Sequence, residues 1–478
     1  MKHLTGLARD QKLLFPEAIE DYIRADHPVR FLDAFVETLD LRALGFTKAV
    51  AAPTGRPPYQ PGDLLRLYLY GYLHRLRSSR LLEKECHRNL ELVWLLRTLK
   101  PDFKTIADFR KDNPAALKRV CRQFTLLCRR LDLFGGELIA IDGSKFPAVN
   151  SRDKNYNETK LRELMANLDA KIEQYLQVLD AGDDAEPPEA PQLSRAELER
   201  KIAALRERRD GYEELAGQLD EEQQQVSATD ADARLMRTRQ GAQVCYNAQS
   251  AVDSKHKLIV AHDVVNAVTD VNELAALAQA AREAIGVERI EAVADKGYYN
   301  QSQVERCLAA GITPYLEKTD TSANTKRGLF GKSKFQYDAV KDIYLCPAIQ
   351  ELTYRFSTTE KERELRYYRA RGCRQCAIKS RCTRNQANRT ITREANEQLM
   401  EAMAARVRQK PWILKLRKAL VEHPFGTMKR AMNAGYFLCK GLTAVRAEFS
   451  LTVLAYNLKR VLNLASFGEL MRAVSVAG

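Results

Sequence analysis

Apolar positions recur at intervals of three and four along residues 15–135, most clearly at Leu64, Leu65, Tyr68, Leu69, Tyr72, Leu73 and Leu76. That spacing lines one face of a helix. The Pro-rich entry Pro57-Pro58-Tyr59-Gln60-Pro61 marks a start, with Asp63 in the N-cap region. The pattern predicts an all-helical N-terminal domain over residues 1–135. The period then changes. Glu137-Leu-Ile-Ala-Ile-Asp142 is an apolar run of strand length, and Gly143 follows it. It reads as a buried strand presenting Asp142 at its C-terminal edge.

Two helical patterns come next, Leu161, Leu164, Leu168, Ile172, Leu176 and Leu179, then Leu198, Ile202, Leu205, Tyr212, Leu215 and Leu219. Between them Gly182-Asp-Asp-Ala-Glu-Pro-Pro-Glu-Ala-Pro191 breaks any helix, which predicts an antiparallel helical hairpin inserted over 156–225. Strand patterning returns at Ala242–Asp253 and Lys257–Val265. A helix near Asn272–Ile285, a strand at Arg289–Asp295, a helix near Gln301–Ala310 and a strand at Ile312–Leu316 complete the series. With the hairpin set aside, three strands able to form a meander precede a strand–helix alternation. The expectation is a mixed α/β sheet with helices against it.

Length supports several units, since 478 residues is about three typical domains. Lys plus Arg exceeds Asp plus Glu by 76 − 62 = 14. The excess is uneven. Residues 351–450 carry 22 Lys/Arg and 9 Asp/Glu, whereas residues 158–222 carry 9 and 18. Clustered cations suit a polyanion by releasing its counterions, or simply form a solvated face. No apolar stretch approaches the roughly 18 residues of a membrane span. The first ten residues lack a secretory h-region. These features predict a cytoplasmic protein with no membrane partner.

Asp142 and Asp295 both end apolar strands. If those strands are neighbours, the two carboxylates converge and repel unless a divalent cation sits between them, and oxygen ligands suit Mg2+ or Mn2+. The competing reading is that each caps a turn, as Asp commonly does.

Gly55-Arg-Pro-Pro-Tyr59, Leu64-Leu-Arg-Leu-Tyr-Leu-Tyr-Gly-Tyr72, Pro101–Arg110, Ala140-Ile-Asp-Gly-Ser-Lys-Phe146, Ala294-Asp-Lys-Gly-Tyr-Tyr299 and Val421-Glu-His-Pro-Phe-Gly-Thr-Met-Lys-Arg430 stand in one order along the chain. On these blocks the sequence resembles bacterial insertion-sequence transposases of the DDE class. The resemblance implies an RNase H-like core over 136–155 and 226–464, with Asp142, Asp295 and Glu422 as catalytic, metal-holding acids. It also implies two Mg2+ or Mn2+ ions, double-stranded DNA as partner, a homodimer or higher assembly on DNA, and action at the bacterial nucleoid. Many such proteins carry Tyr-x2-Arg-x3-Glu-x6-Lys around the third acid. Here those positions are Lys415, Lys418, Glu422 and Lys429, so a cationic role survives and a stacking or bidentate role does not. Lys415, Lys418, Lys429 and Arg430 are the expected DNA contacts. Pro424 must begin or kink the helix carrying Glu422. Glu448, a rival third acid, reads better as a charge near the start of the helix running to Leu464.

Four of the ten cysteines, Cys346, Cys373, Cys376 and Cys382, share a basic stretch (340–390) with C-x2-C-x5-C spacing and are candidate ligands for a structural Zn2+. The other six sit singly in apolar runs. Gly331-Lys-Ser333 is not a nucleotide loop, because Lys326 stands where such a loop needs Gly. Two other functions stay open at this point: a DDE-type nuclease without strand transfer, and a non-catalytic DNA-binding repressor derived from a transposase.

Overall fold

The computed structural model describes residues 18–476 except positions 52, 55, 56, 151, 183–193, 220–224, 319–322, 361 and 362. Most of the expected hairpin linker, residues 1–17 of the helical domain, and Gly55 and Arg56 therefore lie outside the described residues.

Six helices open the chain: α1 (Pro28–Glu37), α2 (Pro61–Leu73), α3 (Ser79–Cys86), α4 (Leu90–Leu95), α5 (Phe103–Asp112) and α6 (Pro114–Arg130). Local chemistry sets several starts. His27, Asn89 and Asp102 accept backbone N–H groups at the heads of α1, α4 and α5, and Pro stands at the first turn of α1, α2 and α6. Asp63 is not the cap of α2; Gln60 holds that position. Asp63 lies one turn inside and joins Asp33 and Glu37 around the buried guanidinium of Arg66. The stripe read from the sequence is only part of the buried surface, because α2 is enclosed on all sides from Pro61 to Tyr72.

The main sheet is built on β1 (Leu138–Pro147). A short ladder of β2 (Asn155–Tyr156) and β3 (Val226–Ser227) closes the base of two long helices, α7 (Glu158–Gly182) and α8 (Arg195–Ala216). These run antiparallel: Arg209 pairs with Asp169 at 2.6 Å, while Lys201 lies over Tyr175. Leu161, Leu168, Ile172, Leu198, Ile202 and Tyr212 are buried, but Leu176, further from the base, is exposed.

β4 (Arg234–Thr238), β5 (Gly241–Asp253), β6 (Ile259–Val265), α9 (Leu274–Ile285), β7 (Ile290–Ala294), α10 (Gln301–Ala309) and β8 (Ile312–Leu316) follow. The sheet order is β4-β5-β1-β7-β8, with β6 also on β5. β1, β5 and β6 are the antiparallel meander, and β7 and β8 join β1 in parallel. The expected mixed sheet is present, extended by β4. After the one-turn α11 (Ala323–Lys326), a second, antiparallel sheet comprises β9 (Gln336–Asp338), β10 (Ile343–Leu345), β11 (Glu351–Glu360), β12 (Arg363–Ala370) and β13 (Thr390–Glu394). The one-turn α12 (Lys379–Cys382) lies before β13. The chain ends in α13 (Glu397–Gln409), α14 (Trp412–Gly426), α15 (Leu442–Leu464) and α16 (Phe467–Ser475).

α15 joins the helical unit to the sheet. Its Asn457 brackets β6, accepting from Ile259 N at 2.9 Å and donating to Ile259 O at 2.7 Å. Glu448 is fully buried within it. The carboxylate accepts from Arg77 at 2.7 Å and from the backbone N–H groups of Leu438 and Cys439, while Arg77 also donates to the carbonyls of Asn433 and Tyr436. Glu448 therefore serves neither as a third acid nor as a helix-start charge. Glu448→Gln would leave the Arg77 guanidinium enclosed without its counter-charge, at a cost of about 3–5 kcal/mol. A urea-midpoint shift with unchanged slope measures it, and a loss below about 1 kcal/mol would refute the buried-pair account.

Candidate functional site

β1 and β7 lie side by side in parallel register, Leu138 with Glu291 through Ala140 with Val293. Extending that register by two residues sets Asp142 beside Asp295. Asp142 is not at a strand end as expected. β1 runs on to Pro147 because β5 pairs with it from Ile139 to Pro147. What ends near Asp142 is the pairing with β7. Asp295 does lie just past its strand, and its Oδ1 accepts from Gly297 N at 2.7 Å, so it also caps the following turn.

The environment of Asp142 is unfavourable to a lone carboxylate. Its side chain is 25% exposed. Burial pushes its carboxyl up to about 7, with Asp295 and Asp270 adding to the shift and Arg417 opposing it. Arg417, on the inner face of α14, stands 3.5 Å from Asp142. Neither cation expected there, Lys415 or Lys418, takes this place. Both are exposed, as is Arg430.

Asp270 escaped the sequence reading because it lies in an irregular stretch ahead of α9 and reads only as a turn residue. It accepts from Asn247 at 2.6 Å and Gln249 at 2.7 Å, and pairs with Lys145 at 3.4 Å. Gln249 in turn accepts from the buried Tyr298 hydroxyl. Gly143 makes this approach possible: a Cβ there would meet Asp270 Oδ1 at 2.7 Å.

Glu422 lies on α14, the helix that carries Arg417 to Asp142. Its side chain is 60% exposed and pairs loosely with Lys418 at 3.8 Å. α14 continues through the buried Pro424 instead of starting or stopping there, and then widens into a π-type turn at Thr427–Ala431. That turn takes Lys429 off a regular seven-residue spacing from Glu422. Lys429 is half-buried and donates to Ser144 Oγ and Lys145 O, each at 2.7 Å, with its ammonium over the Phe146 ring. His423 faces Tyr456, 3.0 Å from its hydroxyl.

The four clustered cysteines do come together. Cys346 (β10–β11 loop), Cys373 and Cys376 (turn after β12) and Cys382 (end of α12) line one small cavity with Arg389. Backbone N–H groups of Gln350 and Arg389 donate to the sulfurs of Cys346 and Cys373 at 3.3 and 3.4 Å. Burial and the three neighbouring thiols raise the Cys382 thiol, against the pull of Arg389. Among the described residues no three His, Cys, Asp or Glu side chains are spaced to hold a metal ion. At both sites, then, the donor types suit a metal and their present spacing does not.

A family model described as Transposase domain (DUF772) matches residues 17–112, and one described as Transposase DDE domain matches residues 345–462. Both matches bear out the resemblance to a DDE-class transposase. The second range contains Glu422, Lys429 and the four cysteines; Asp142 and Asp295 lie outside both. Among solved structures the chain is similar to a piggyBac transposase in a synaptic complex with hairpin DNA. Identity is 8%, coverage is 94% of this chain and 80% of that one, and the TM-score is 0.31. No curated protein matches. Among the described residues no helix is long and apolar enough to cross a membrane.

The raised carboxyl of Asp142 fixes a stability signature. Between the unfolded value near 4 and about 7, the native state keeps a proton that the unfolded chain releases, so stability falls as pH rises. Asp142→Asn removes that loss. The variant should match the parent at pH 4 and exceed it at pH 8 by roughly 4 kcal/mol. Denaturant melts at the two pH values measure the difference, and equal stability at pH 8 would show Asp142 to be unstrained.

Proposed function

We propose that this chain is a DNA transposase with an RNase H-like core, cutting double-stranded DNA at insertion-sequence ends and joining those ends to target DNA. The observation that carries the reading is the pair Asp142 and Asp295 on neighbouring central strands, with burial and the nearby carboxylates of Asp295 and Asp270 raising the carboxyl of Asp142. The meander β6-β5-β1 continued by parallel β7 and β8 supports the core assignment, and the two transposase-domain matches support the class.

Asp142 and Asp295 are the proposed ligands of Mg2+ or Mn2+. Two such ions supply activation of an attacking oxygen and stabilisation of the leaving one in phosphodiester chemistry. Arg417 is the cation of this chain placed to hold a phosphate beside the acids. Glu422 is the proposed third acid on the resemblance of its Glu-x6-Lys sequence block. Asp270 is the competing assignment, favoured by its electrostatic coupling to Asp142. We read residues 156–225 as an insertion into the core, residues 340–390 as its basic Cys-containing part, and the active form as a homodimer or larger assembly on DNA at the bacterial nucleoid.

Asn or Gln replacements at Asp142, Asp295 and Glu422 should each abolish Mg2+-dependent cleavage of end DNA while leaving its binding intact. Asp270→Asn run in parallel decides the third acid, since near-parental cleavage removes a residue from the site. Joining of pre-cut 3′-hydroxyl ends separates a transposase from a nuclease that stops after hydrolysis, and an inert parent protein that binds DNA would be the repressor.

The four thiolates form a soft donor set suited to zinc, which would fold the segment around them on binding. Protein purified without chelator should contain about one Zn per chain, and Cys376→Ser should lose it and become protease-sensitive over 346–385. Metal analysis without zinc would leave four ordinary thiols.

A further inference from the structure

Beyond Thr353, β11 is an open edge of the second sheet, with β12 and then β13 on its other side. β10 covers β11 only from Glu351 to Thr353, and β13 covers β12 from Leu365 to Arg369. Residues 354–357 are exposed in succession, so both faces of β11 meet solvent there. An open strand edge in water ordinarily presents polar side chains. This one presents Tyr354 and Phe356, 45% and 47% exposed, and Phe356 stacks across the strands on Tyr367 at 4.6 Å and 12°.

The register breaks between Tyr354 and Phe356, leaving Arg355 without a partner on β12. A bulge of this kind twists a ribbon and re-aims its side chains. Cations dominate the neighbourhood: residues 366–384 hold seven Lys/Arg and no Asp/Glu. Among the described residues no carboxylate pairs with Arg355, Arg369, Arg371 or Arg374, whereas the buried Arg393 of the same sheet is neutralised by Glu401. These four arginines thus carry no counter-charge, although Arg369 donates to Thr390 Oγ1 at 3.4 Å and the neighbouring Arg366 pairs with Asp342 at 3.9 Å.

We propose that this ribbon is a docking surface for double-stranded DNA. The open edge of β11 would face the duplex, whose major groove, about 12 Å wide, admits strand side chains. Arg355 and Arg369 would meet phosphates, and the Phe356–Tyr367 pair would lie against the groove's apolar surface, where thymine methyl groups are exposed. A protein partner would have to cover unpaired arginines as well as aromatic rings, so the charge favours DNA. The inference rests on the transposase reading and adds to it a contact remote in sequence from the proposed acids.

The test is polarisation of a fluorescein-labelled mixed-sequence duplex, titrated with the full chain over a series of NaCl concentrations. Each lost phosphate contact flattens the log-affinity against log-salt slope by about 0.9, so Arg355→Ala with Arg369→Ala should lower it by about two units. Phe356→Ala should weaken binding several-fold with the slope unchanged. Arg162→Ala with Arg200→Ala, on the acidic helices, should change neither, and thermal melts establish that all variants fold. A double ribbon variant that retains the parental slope overturns the proposal, as does one that loses only self-association. Those outcomes leave the transposase reading standing if the parent still cleaves DNA. A parent that binds no duplex overturns both.

Discussion

Glu448 is an enclosed charge that the fold can accept only because several donors converge on it. Arg77 comes from the helical unit, and the N–H groups of Leu438 and Cys439 come from the loop ahead of α15. Removing a carboxylate from water costs several kcal/mol, recovered only when the geometry is complete. The pair therefore fixes how α15 sits against α2 and α6, and hence against β6 through Asn457. The sheet edge bearing Asp142 and Asp295 inherits its position from this arrangement.

Burial at the acid pair works in the opposite sense. Glu448 has its counter-charge and its backbone donors, whereas Asp142 has Arg417 at 3.5 Å and two further carboxylates whose charge reinforces its own. A carboxyl left in that state costs the fold stability and binds a proton or a cation readily. Such local conflict is expected where a protein spends stability on chemistry. Around the same region Lys429 ties β1 to the turn after α14, and Asn247, Gln249 and Tyr298 form a bonded network around Asp270.

Charge is also sorted over the molecule. The acidic α7–α8 pair satisfies its apolar stripes internally, and its charges form pairs such as Arg209 with Asp169. The second sheet pairs Arg393 with Glu401 and Arg366 with Asp342, and among the described residues leaves Arg355, Arg369, Arg371 and Arg374 without a counter-charge. The first arrangement suits protein contacts or plain solvation, and the second a polyanion.

The amino-acid sequence by itself determined the elements of the helical unit, the helix pair and the main sheet, and their order, but not the second sheet β9–β13. The periods of 3.6 and 2 are local properties, as are the Pro and Asn signals at helix starts, so the meander, the strand–helix alternation and the long helix pair were legible. Asp142 and Asp295 were legible too, since both follow apolar strand runs. Only the tertiary structure decided which side chains meet. Arg417 faces Asp142 in place of Lys415 or Lys418 because packing on β1 and β7 sets the rotation of α14 about its axis, which spacing alone leaves free. Asp270 joins the site through Gly143, more than a hundred residues away. Glu422 is largely exposed although the Glu-x6-Lys part of its motif is kept. The π-type turn after Pro424 shifts Lys429 onto β1, and the break at Arg355 exposes the aromatic pair of the ribbon. Each depends on the close approach of segments distant in the chain, a property that no local pattern encodes.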